Sequence, residues 1–168
     1  LLIAYHYLHS AEPRQALKSL VKAVESLVRD FRCEEALNFV NQGLELLKDR
    51  ELSEEEKEQE WRLLVEKEKI SELLSDHESR RMVLENLLEL AMKDKRSEKI
   101  ALVRNKISWY AINMGKYEQA INTAKETLQL PEIKDTLFHA DACRYLGLGN
   151  YNLGRYDEAE KFLREALE

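Results

Sequence analysis

Glycine and proline are scarce, with 5 and 2 in 168 residues. That scarcity excludes a turn-rich sheet protein and leaves little room for a disordered linker. The two cysteines, Cys33 and Cys143, are far apart and no CxxC pair occurs, so neither a zinc motif nor a disulfide framework is indicated. Each falls in a helical pattern, where a small buried side chain is the expected role. No apolar run reaches bilayer-spanning length, and no signal-peptide pattern is visible. Basic runs are also missing. With 26 Lys and Arg against 32 Asp and Glu, the formal charge is −6, which argues against nucleic acid and anionic membranes as partners. A basic or mixed-charge protein partner suits that balance.

What remains is rich in Leu, Glu, Ala and Lys, all strong helix formers. A hydrophobic share of 44% and a charged share of 35% fit helices with one buried stripe and one wet face. Two segments near the end of the chain repeat one another. ADACRYLGLGNYNLGRYDEAEKFLREALE carries Leu146-Gly147, Leu153-Gly154, Tyr156, Ala159, Leu163 and Ala166. IALVRNKISWYAINMGKYEQAINTAKETLQL places Gly115, Tyr117, Ala120 and Ala124 at the same offsets. Gly115 and Gly154 stand where one helix must stop and the chain reverse, a place for the left-handed conformation. Tyr117 and Tyr156 are expected to plug the corner, and Ala120 and Ala159 to let two helices cross closely.

On these residues the sequence resembles the tetratricopeptide repeat family over residues 100–168. The resemblance implies an all-α, right-handed superhelical solenoid of about nine antiparallel helices, each pair burying its apolar face against its neighbours. The domain reading is one array over 1–168, with atypical units in 1–50, a degenerate unit in 54–95, and the clearest units in 97–130 and 135–168. Ala120 and Ala159 are 39 apart, longer than the usual period of about 34, so a longer turn is expected near Pro131. Toward the start, Ala4, Tyr7, Ala16, Leu20 and Ala23, then Ala36, Val40 and Gly43, fall at repeat offsets. In the degenerate unit Ser75 replaces the Gly, His77 the Tyr and Arg80 the Ala. The run AYHYLHSAEPRQALKSLVKA with CEEALNFVNQGLELL is similar to the opening of arrays in bacterial signalling ATPases. No GxxxxGK[ST] loop occurs here, so such a module would lie elsewhere in the polypeptide. The start at Leu1 without Met and the end within a helical pattern suggest a piece of a larger cytoplasmic protein.

Helix signals give expected spans of about 1–10, 13–31, 33–48, 54–74, 77–94, 97–114, 117–129, 135–153 and 156–168. Pro13 suits a first helical turn. Ser53 and Glu56 form a capping-box pattern, and the acidic run after Ser53 suits the positive end of a helix.

No catalytic constellation is found: HExxH and GxSxG are both absent, and no enzymatic role is expected. His6 and His9 share a spacing but lack further ligands, and His77 and His139 read as surface or packing residues, so neither metal nor cofactor is expected. Abundant carboxylates read as solvated faces; those from Glu51 to Glu60 read as a capped, wet helix start, with a docking site for a basic segment as the alternative. Resemblance to the repeat family implies a groove lined by first helices, here by Asn105, Trp109, Ile112 and Asn113, then Arg144, Leu148 and Tyr151. Trp and Arg are common binding anchors, although aromatics on repeat helices are more often core, which favours packing of Trp109 and Tyr151 against the next helix. A carboxylate-clamp subtype is not matched, because Asn105 stands where its Lys would be and Trp109 where its Asn would be. The expected function is binding a protein or peptide, in trans or in cis, within a signalling or regulatory protein. The alternative is a scaffold that self-associates into homo-oligomers through its end helices.

Overall fold

The computed structural model describes residues 13–49, 51–134 and 136–167. Among them are eight helices and no strand: α1 Pro13–Arg29, α2 Cys33–Leu47, α3 Glu54–Leu73, α4 His77–Asp94, α5 Ser97–Asn113, α6 Tyr117–Leu128, α7 Leu137–Asn152 and α8 Tyr156–Glu165. The helix expected over about 1–10, with Ala4, His6, Tyr7 and His9, lies outside the described residues. The chain forms two compact units that divide within α4, between Leu87 and Leu88.

Helix reversal follows one rule throughout. Each of the seven connections between these helices contains one left-handed residue: Phe31, Asp49, Ser75, Lys95, Gly115, Glu132 or Gly154. At Gly115, Lys116 N donates to Ala111 O (2.8 Å) and Gly115 N to Ile112 O (3.0 Å). At Gly154, Arg155 N donates to Asn150 O (2.9 Å) and Gly154 N to Tyr151 O (3.0 Å). This paired pattern satisfies carbonyls that a helix end would leave open. Phe31 and Ser75 make the same pair of bonds without being glycine.

In the first unit, α1 buries Leu17, Leu20, Val21, Val24 and Leu27, a helical stripe. It packs against Cys33, Ala36, Val40 and Leu47 of α2 and Leu63 and Ile70 of α3. Gly43 lets these helices come close, since a Cβ there would lie 2.7 Å from Leu63 Cδ1 and 2.9 Å from Leu20 Cδ2. α3 begins with the expected capping box: Ser53 N donates to Glu56 Oε2 (2.9 Å) and Glu56 N to Ser53 Oγ (3.4 Å).

The acidic helix start is largely wet as expected, with Glu51, Glu54 and Glu55 exposed, but three carboxylates of α3 depart from the expected solvated face. Glu56, Glu66 and Glu68 are buried. Glu68 accepts from Arg80 Nε at 2.8 Å, and Arg80 also approaches Glu72 at 3.0 Å. Arg80 stands where the repeat pattern has its small Ala. The large cation fits because α3 supplies carboxylates to it, and burial strips both charges of water, making each depend on the other.

The second unit contains α5 to α8. α5 packs on α6 and α7, and α7 on α6 and α8. Ala120 and Ala159 are buried, and α7 meets α8 so closely that a Cβ at Gly147 would lie 2.5 Å from Leu163 Cγ and 3.2 Å from the Ala159 carbonyl. The longer connection expected near Pro131 joins α6 to α7, with Ile133 buried in it. Tyr117 is half-buried, and its backbone carbonyl lies 3.4 Å from where a Cβ on Gly149 of α7 would stand. Tyr156 departs from the expected plug, being 64% exposed. It meets Tyr151 edge-to-face, with centroids 5.6 Å apart.

Two stability predictions follow from these arrangements. Phe31→Gly relieves a left-handed residue whose side chain is 77% exposed. It should raise the stability by about 0.5–1 kcal/mol; an unchanged or lower melting temperature would show that the Phe31 ring contributes by packing. Arg80→Ala, which takes away the guanidinium that bonds buried Glu68, should lower stability by about 3–5 kcal/mol in denaturant titrations. Glu68→Leu combined with Arg80→Met should cost far less, and equal losses would contradict a charge-pairing origin.

Candidate functional site

The residues expected to form a groove all lie in the second unit, on α5 and α7, which pack side by side. Their surroundings differ. Trp109, Ile112 and Leu148 are half-buried and pack against one cluster with Ile121, Ala124, Tyr145 and Leu146. Trp109 and Tyr145 have centroids 6.2 Å apart and planes tilted by 32°. Arg144 extends this group outward: its guanidinium lies 4.6 Å from the Tyr145 centroid and donates to Tyr145 Oη and Asp141 Oδ1, both at 2.8 Å. A cation over an aromatic face adds to the attraction. The result is an apolar seam with an exposed, oriented arginine beside it.

The other three candidates are not brought into this seam. Asn105 is buried, and its Nδ2 donates to the Phe138 carbonyl at 2.8 Å, tying α5 to the start of α7. That carbonyl belongs to the first turn of α7. Asn113 is exposed at the last residue of α5. Tyr151 is exposed and borders an open apolar depression with Tyr156, Ala159, Leu163 and Leu167. Arg144 likewise borders a second depression with Ala140, Leu163 and Leu167. Tyr145 was overlooked in the sequence, although it links Trp109 to Arg144. Its position one residue after Arg144 gave a signal only once the helix face was known.

A second cluster in this unit was also overlooked. His139 and Cys143 lie four residues apart on α7, with Nδ1 3.8 Å from Sγ. Glu165 at the end of α8 brings Oε1 to 3.8 Å from His139 Nε2. The HxxxC spacing was visible in the sequence; the carboxylate was not, because it comes from another helix. Burial, and then the nearby Glu165 charge and hydrogen bond, push the Cys143 thiol up to about 11. A raised pKa keeps the thiol protonated and poorly nucleophilic at neutral pH. At pH 8, with a chelator present, iodoacetamide should therefore label Cys143 about a hundredfold more slowly in the folded chain than in the denatured one. Equal rates, read by peptide mass spectrometry, would show that the thiol is neither shielded nor raised.

The described helices are not long and apolar enough to cross a membrane. Residues 140–168, spanning α7 and α8, match the family model of the tetratricopeptide repeat. No curated protein matches the chain.

Proposed function

We propose that this chain is a protein-binding repeat module, not an enzyme, and that a partner segment docks on the α5–α7 seam. Tetratricopeptide repeats generally mediate protein–protein interaction, and residues 140–168 match that family. The observation that carries the site is the seam itself: half-buried Trp109, Ile112 and Leu148 beside an Arg144 held in place by Tyr145 and Asp141. An apolar floor with a polar, pre-oriented edge is the composition of a binding centre. Asp141 and Tyr145 also limit the freedom that Arg144 would lose on binding, which lowers the entropic cost of association. Asn105 serves this reading by positioning α7 and not by touching the partner.

The wider setting belongs to the same reading. The nine-helix superhelical array, a cytoplasmic location and a role in a signalling or regulatory protein are supported by the repeat pattern and by the likeness of the early segment to arrays of bacterial signalling ATPases. The partner could then be another part of the same polypeptide. A second reading, self-association as a scaffold, is favoured by the apolar depression bordered by Tyr151, Tyr156, Leu163 and Leu167; it requires a molecular mass that rises with concentration.

The test is a pull-down from source-cell lysate with the parent chain and with Trp109→Ala/Arg144→Ala, after circular dichroism shows that helicity and melting are unchanged. The expected outcome is a protein retained by the parent and weakened at least about thirtyfold in the variant, as for the loss of one strong anchor. Equal retention would remove the seam as the binding surface. No retained protein, together with concentration-dependent mass, would favour the scaffold reading.

A further inference from the structure

Folding assembles a donor set that sequence spacing does not reveal. One ligand atom each from His139, Cys143 and Glu165 lies within 4.8 Å of the others. Two of the three come from consecutive turns of α7, where an i, i+4 spacing stacks side chains on one helix face. The third comes from α8, whose position against α7 is set by the tight contact of Gly147 with Leu163 and the Ala159 carbonyl. Cys143 is fully buried, whereas the side chains of His139 and Glu165 are 23% and 40% exposed. The cluster is therefore backed by the helix interface and open to solvent on its imidazole–carboxylate side.

We propose that His139, Cys143 and Glu165 form a binding site for a divalent, zinc-like transition-metal ion. A thiolate, an imidazole and a carboxylate together match zinc's preference for mixed sulfur, nitrogen and oxygen donors. Calcium and magnesium favour all-oxygen sites, so two of these three donors disfavour them. Donors held about 2.0–2.3 Å from a tetrahedral ion stand roughly 3.5 Å from one another. Sγ lies 3.8 Å from Nδ1 and Oε1 lies 3.8 Å from Nε2, so sulfur and carboxylate approach opposite nitrogens of the ring, and the one-atom-per-residue set, within 4.8 Å, must draw in for one nitrogen to serve the ion. Small side-chain rotations, of the imidazole and of the longer glutamate arm, would let one ring nitrogen face the ion with the other two donors. The fourth position falls to water on the open side. On binding, the thiol loses its proton to solvent and the thiolate sulfur donates to the metal, so one proton is released for each ion bound through Cys143. The ion would bridge α7 and α8 and so fasten the last described hairpin.

Cobalt(II) titrated into the full chain under reducing conditions provides a probe, because thiolate coordination gives a charge-transfer absorption in the near ultraviolet. One cobalt per chain is expected, with that band erased by zinc. Cys143→Ser should remove the band and Cys33→Ser should leave it. His139→Asn and Glu165→Gln should each weaken cobalt binding at least about tenfold, since even groups that only support ligands cost that much when lost. Zinc should raise the melting temperature of the parent more than that of these variants. No charge-transfer band, a band that survives Cys143→Ser, or an affinity unmoved by both His139→Asn and Glu165→Gln would overturn the site. If Cys143→Ser fails to fold, the two variants at partly exposed positions decide alone.

Discussion

Close approach of helices at small residues is the constraint on which the architecture depends. At Gly43, Gly147 and Gly149 a single added methyl group would collide with a neighbouring side chain. Ala120 and Ala159 are buried at the corresponding crossings in the repeats. Packed interiors lose energy both to voids and to overfilling, so these positions hold the helix pairs at one separation. Everything near the candidate sites is placed by that separation. The α7–α8 crossing at Gly147 brings Glu165 to His139, and the packing of α7 on α5 brings Tyr145 to Trp109.

The degenerate unit reaches a stable arrangement by another route. Where the repeats place a small Ala, α4 carries Arg80, and α3 answers with Glu68 and Glu72. A hydrophobic crossing tolerates many side chains of similar volume, whereas a buried ion pair tolerates neither partner alone. This region is therefore held by a specific pairing and not by the shape rule that governs the later helices. The same substitution explains why the repeat pattern fades there: a motif read as Gly, Tyr and Ala becomes Ser75, His77 and Arg80, while the turn itself persists, since Ser75 adopts the left-handed conformation that Gly115 and Gly154 adopt.

The two site readings use opposite sides of the same chemistry. At the α5–α7 seam, one aromatic and two aliphatic side chains are left half-covered beside an arginine whose charge is steered by Asp141 and Tyr145. Such a surface gains by excluding water around an oriented charge. At the α7–α8 junction, the side chains are polar donors converging on a point, and the gain would come from an ion instead. Both depend on α7, which presents Arg144 and Tyr145 to one and His139 and Cys143 to the other.

Local rules were legible in the sequence. Helix spans from Pro13 onward followed from the apolar period, from the Ser53–Glu56 box and from glycine at positions 115 and 154, because caps and turns are decided by neighbours in the chain. The small residues at the crossings could be read for the same reason: their spacing repeats. Tertiary structure alone decided what each exposed-looking polar residue meets. Glu68 lies buried against Arg80, Asn105 is spent on the Phe138 carbonyl, and Glu165 joins a histidine and a cysteine on another helix. Tyr156, which shares its offset with Tyr117, is exposed where Tyr117 is half-buried. Burial and pairing belong to the packing of separate helices, and a period along one helix says which side is apolar without saying which residue will face it.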